Sequence, residues 1–149
     1  MRRAGRVGVI LLLALGALAV PLHAQDPGGG GSPGKERGSR LRQNYPNPFN
    51  PATRIPFELY EEDFANGGRA VVTIRIYNVL RQLVAIPVAL EYEGGGEHRV
   101  NGLVYTTPGL KQAYWDGTDL AGNKVASGIY YVQLIVNGQS AVRKMVVAK

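Results

Sequence analysis

Cysteine is absent from this sequence, which excludes disulfides, thiolate metal sites and cysteine nucleophiles and leaves burial and hydrogen bonding as the sources of stability. Histidine is scarce, with only His23 and His98. His98 follows a glycine run with neither an orienting partner nor a nucleophile beside it, so a structural or surface place is expected for it rather than a general base. No run repeats the helical period after residue 43, and the longest apolar run, Val7 to Val20, holds 14 residues where a membrane span takes about 20. Phosphate-cradling loops are missing too, because neither the glycines at 28–31 nor those at 94–96 lead into a helix with Lys and Ser/Thr. The acidic turn "DGTDLAGN" lacks the alternating oxygen ligands and closing glutamate of a calcium loop. Its Asp116 and Asp119 suit backbone amides better than a substrate, so neither metal, cofactor nor enzymatic activity is expected.

What is present begins with "MRRAGRVGVILLLALGALAVPLHA": three arginines, an apolar core, Pro21 as helix breaker and a small residue. This is the layout of a secretory signal peptide cleaved between Ala24 and Gln25. No cysteine follows the apolar core, so a lipid anchor is excluded. Cleavage takes Lys+Arg from 17 to 14 against 11 acids, so the net charge drops from +6 to +3. The basicity of the whole chain therefore argues poorly for nucleic acid. From Gln25 to Arg42 the stretch "QDPGGGGSPGKERGSRLR" cannot bury enough surface to offset its ordering entropy and reads as a flexible tether. It leaves no room for a further domain between the leader and residue 43.

Beyond residue 43, short β-rich runs recur between turn signals, the pattern of an all-β, immunoglobulin-like antiparallel sandwich of about seven strands. Thr53–Leu59 alternates Ile55, Phe57 and Leu59 on one face, and Pro56 marks it as an edge strand. Ala70–Tyr77 aligns Val72, Ile74 and Ile76, and these two runs are expected to begin the two layers. Leu83–Leu90 is a third strand, and Arg99–Thr106 is weaker. Lys111–Trp115 places Ala113 and Trp115 together. Ile129–Val136 aligns Tyr130, Val132, Leu134 and Val136, and Asn137-Gly138 then gives a type I′ hairpin signal. The last run, Ala141–Ala148, lacks clean alternation, so its buried face stays open. The acids Glu61, Glu62 and Asp63 read as a solvated loop.

The entrance to this domain is "QNYPNPFNPAT". Each proline steers the residue before it to extended conformations, and the asparagines offer side chains to backbone groups that lack a strand partner. Extended backbone is expected to send Tyr45 and Phe49 to different patches of the sandwich surface.

Taken together, "QNYPNPFNPATRIPFEL", "VTIRIYNVL", "YWDGTDLAGNKVASGIYYVQL" and "SAVRKMVVAK" resemble the C-terminal sorting domain of type IX (Por) secretion substrates, itself similar to the immunoglobulin-like domain of the FlgD family. The resemblance spans residues 43–149. It implies a sandwich without chemistry that serves as an address: a signal peptide delivers the chain to the periplasm and the outer-membrane translocon then reads the domain. A sortase-like protease removes it, and the cargo is released or attached to surface lipopolysaccharide. The matching positions are Asn44, Pro46, Asn47, Pro48 and Phe49 at the entrance, then Trp115, Asp116, Gly117, Gly122, Gly128 and Tyr130, and Lys144 with Met145 in the final strand.

Physical roles follow for these residues. Trp115 is a large apolar body whose N–H needs a partner. Asp116, Asp119 and Asn123 suit a turn held by side-chain to backbone bonds, with Gly117 and Gly122 supplying φ > 0. The last strand, with Arg143, Lys144 and Lys149, is expected to offer an accessible edge to a partner. Three departures stand out. Arg81 occupies a turn position where the family usually has glycine, at a cost of about 1–2 kcal/mol if φ > 0 is needed. The stretch between Gly96 and Trp115 is long, suggesting an inserted loop or hairpin around Val100–Gly109. A sorting domain also normally ends a larger protein, whereas here an 18-residue tether is the stretch expected between the leader and the domain. The alternatives are a FlgD-like structural or assembly module and a surface ligand-binding sandwich that uses tyrosines such as Tyr114 and Tyr131.

Overall fold

The structure, a computed structural model, describes residues 40–149. The signal-peptide reading, its cleavage between Ala24 and Gln25, and the tether up to residue 39 lie outside the described residues. No helix among the described residues is long and apolar enough to cross a membrane.

The first strand, β1 (Thr53–Leu59), buries Ile55, Phe57 and Leu59 as its alternation requires. A 3-10 turn at Glu61–Phe64 leads to β2 (Ala70–Asn78), which buries Val72, Ile74 and Ile76. The two strands do begin different layers. One sheet has the order β1-β6-β4, where β4 is Val88–Leu90 and β6 is Gly109–Trp115. The other runs β3-β2-β7-β8, with β3 at Leu83–Ala85, β7 at Gly128–Val136 and β8 at Gln139–Val147, and β5 (Leu103–Tyr105) also pairs with β2. All named strand pairs are antiparallel. The inner faces meet in one apolar core that joins Phe57, Ile74, Tyr105, Trp115, Leu134 and Met145.

Several expectations are corrected. Leu83–Leu90 is two strands, not one: the chain leaves the larger sheet after Ala85 and joins the smaller one at Val88. Pro87 lies at the break and has no N–H to give a ladder. The long segment after Gly96 is no hairpin. Arg99 bridges β4 in the smaller sheet, Val100 accepts from the Ile74 N–H at 2.8 Å, and β5 then pairs with the start of β2. The segment thus crosses between layers, and Val100 is fully buried.

The acidic run is not simply solvated either. Asp63 takes both oxygens to Arg40 Nη1 at 2.9 Å and accepts the Tyr60 N–H at 2.7 Å. Arg40, Leu41 and Arg42, whose composition groups them with the tether, belong to the folded unit: Leu41 is fully buried and bridges Phe57. In β8 the buried side chains are Met145 and Val147, which settles its inward face.

Turn chemistry follows sequence closely. Asn137 and Gly138 take φ of 48° and 85° between β7 and β8, and the Asn137 amide also bonds the Val71 N–H and the Asp63 carbonyl. Arg81 adopts φ 61°, so the turn after β2 keeps the left-handed residue that glycine would tolerate better. Asn78 holds it, its Oδ1 accepting from the N–H groups of Leu80 and Gln82 at 3.0 and 2.9 Å.

Candidate recognition site

The entrance segment forms a strap between the open edges of the two sheets. Along β1, the Arg42 N–H donates to Pro56 O at 3.0 Å and the Glu58 N–H to Arg40 O at 2.8 Å, while Tyr45 and Arg54 exchange bonds of 3.0 and 2.9 Å. The chain then turns to the other sheet. The Phe49 N–H donates to Val146 O and the Ala148 N–H to Phe49 O, both at 3.0 Å. Between them, Asn47 Oδ1 accepts the Val146 N–H at 3.0 Å, and Gln43 Nε2 reaches Lys144 O at 3.3 Å. The peptide bonds before Pro46, Pro48 and Pro51 are cis.

Two entrance side chains are interior. Asn44, 2% exposed, donates to Pro46 O at 3.2 Å and Thr53 Oγ1 at 3.0 Å, and Thr53 Oγ1 donates to Pro46 O at 3.0 Å. Phe49 does not rest on the surface as expected. Its backbone pairs with β8, so the ring enters the core, edge-on to Trp115 with centroids 5.3 Å apart. Tyr45, by contrast, is exposed. Spacing alone could not distinguish these two aromatics, because the deciding partner lies about a hundred residues further on.

The central motif supports this strap from below. Trp115, between Phe49 and Tyr130, donates from Nε1 to Thr118 O at 2.8 Å. Asp116 Oδ1 accepts from the N–H and Oγ1 of Thr118 at 2.9 and 2.7 Å. Asp119 Oδ1 accepts from the N–H groups of Ala121 and Asn123, both at 2.9 Å. Asn123 contributes through its backbone rather than its side chain. Gly117 has φ 78°, and a Cβ there would collide with the Pro51 carbonyl oxygen. Gly122 (φ 85°) and Gly128 (φ 150°) have open space around them. Tyr130 donates from its hydroxyl to Ala126 O at 2.9 Å.

The expected free edge at the end of β8 is therefore already occupied. Strap residues take the outer backbone groups of Val146 and Ala148, and the Arg143 guanidinium donates from Nε to Leu41 O. Lys144 and Lys149 remain exposed, and the Lys149 N–H reaches Ser127 Oγ at 3.2 Å. Pro48 is exposed as well. His98 lies edge-on to Tyr92, with ring centroids 5.1 Å apart. Among the described residues no three His, Asp or Glu side chains gather where a metal could be held.

No family model matches the chain, and no curated protein matches it. Among solved structures, the fold is similar to PorZ of Porphyromonas gingivalis, an essential bacterial surface component of the type IX secretion system. The identity is 18% and the TM-score 0.42, over 73% of this chain and 11% of PorZ.

Proposed function

We propose that this is a non-catalytic exported protein whose C-terminal β-sandwich is a sorting signal, read by the type IX outer-membrane translocon. The observation that carries the reading is the strap. The two stretches that resemble the ends of a sorting domain, Asn44–Phe49 and Lys144–Ala148, are bonded to each other directly. A translocon meeting this domain meets both stretches as one folded surface, so the address is an attribute of the closed sandwich rather than of a loose tail. The Asp116 and Asp119 carboxylates, occupied by backbone amides, serve the turn rather than a reaction.

The test is a reporter with a signal peptide at its front and residues 40–149 at its back, in a host with the type IX apparatus. Surface delivery is expected with the intact domain, and periplasmic retention when the last ten residues are removed. Retention of the reporter with the intact domain would sink the proposal.

A further inference from the structure

Among the described residues the smaller sheet carries both signs of charge, with Arg54, Glu58 and Lys111, while the larger carries only one. Among the described residues every acid lies outside the larger sheet: none occurs from Ala70 to Leu90 or from Lys124 to Lys149. The outer face of that sheet carries Arg75 and Lys144, with Arg81 in the adjoining turn. Cross-strand register sets Tyr77 beside Tyr131 and Tyr131 beside Lys144, and the next row but one holds Arg75, Gln133 and Val142. A groove of about 660 Å³ runs over this face, lined by Tyr77, Val79, Arg81, Tyr131 and Val142. Its apolar members stand open to solvent, with Val79 62%, Val142 57% and Tyr131 37% exposed.

We infer that this face is the docking surface for a protein partner whose contact area is apolar at its centre and acidic at its rim. The inference rests on the sorting reading and names the surface by which the translocon would hold the domain. Three physical points lead there. The β2 and β7 backbones are paired on both sides, so a partner cannot add a strand here and must dock through side chains. Tyrosine, arginine and exposed aliphatics around a groove are the composition of interface anchors, and the aliphatic Val79, Leu83 and Val142 offer little to a hydroxyl-rich sugar. A field of one sign attracts the opposite sign and repels a second copy of the same face. Strands about 4.8 Å apart and nine residues rising about 3.3 Å each give a face of roughly 15 by 30 Å. That is roughly 450 Å², a little over half of the ~800 Å² that one partner contributes to a standard interface, which suits a small, transient contact.

The experiment uses the reporter in a type IX host, with half-buried Arg75 and exposed Lys144 changed together as Arg75→Glu and Lys144→Glu, and separately as Arg75→Gln and Lys144→Gln. Charge reversal is expected to cut surface delivery at least tenfold, neutralisation less, with thermal unfolding of the purified variants unchanged. A photo-crosslinking residue at Val142 is expected to join a protease-sensitive partner, and one at Leu110 on the other sheet is not. The crosslink should vanish with charge reversal. Delivery of the reversed variant at the unmodified level overturns the inference while leaving the sorting reading intact. A crosslink to a protease-resistant glycan ladder, or to a second copy, also overturns it. Failure of the unmodified reporter to reach the surface removes both.

Discussion

Replacing Phe49 by alanine tests whether the strap is structural or incidental. The ring is 1% exposed and packs edge-on against Trp115, while the flanking backbone holds β8 through the Val146 and Ala148 bonds. Truncating a buried phenylalanine costs about 3–5 kcal/mol through lost transfer energy and residual cavity, and the aromatic pair adds of order 1 kcal/mol. For a domain near 100 residues, each kcal/mol moves the unfolding midpoint by about 4–8 °C, so Phe49→Ala should lower Tm by roughly 15–50 °C. Tyr45→Ala is the control, since that ring is 47% exposed and surface changes stay within about 0.5 kcal/mol. Thermal and urea melts followed by Trp115 fluorescence read both variants, and limited trypsin digestion reads the strap directly through cleavage after Arg40 and Arg42. Equal midpoints for the two variants, with Arg42 protected in both, would refute the reasoning.

Arg81→Gly should raise stability by about 1 kcal/mol in a urea melt, because φ 61° strains any residue with a Cβ more than glycine's added entropy costs. Gly117→Ala should lose at least 1–2 kcal/mol, since φ 78° disfavours alanine and its Cβ meets the Pro51 carbonyl oxygen. Among the described residues the buried Tyr105 hydroxyl has no hydrogen-bond partner, so Tyr105→Phe should stabilise by about 1 kcal/mol or more. Burial, with Tyr92 and Glu93 nearby, pushes that hydroxyl well above its ordinary value. Its contribution is present below pH ~10 and is lost as pH climbs beyond it, so the Tyr105→Phe variant should resist alkaline unfolding better. Burial would raise the Glu93 carboxyl, but hydrogen bonds from Thr107 and Thr106 and the charge of Lys111 outweigh it and hold it below 4.5. The stability it contributes is present above 4.5 and fades as pH falls through the lowered value; Glu93→Gln should flatten that part of a Tm-against-pH curve.

The strands were legible where alternation was clean. Ile55, Phe57 and Leu59, and likewise Val72, Ile74 and Ile76, announce their inward faces because a period of two leaves each side chain one choice. The Asn137-Gly138 turn was equally readable, since few residue pairs tolerate two positive φ values. Leu83–Leu90 misled because a short apolar run does not say which sheet it joins. Asp63 looked solvated because Arg40, its ion-pair partner, sits in a stretch whose composition resembles a tether. The strap itself was least legible. Its asparagines signalled a need for backbone partners, but sequence could not say that Asn47 would find Val146 at the far end of the domain.

That long-range closure has a consequence for timing. A chain delivered front-first, from a ribosome or through a narrow pore, can pair Tyr45 with Arg54 early, yet Phe49 and Asn47 find their partners only after Val146 and Ala148 emerge. Contacts so distant along the chain form slowly. The second half of the strap therefore closes last, after the sheets that it joins have their own pairings.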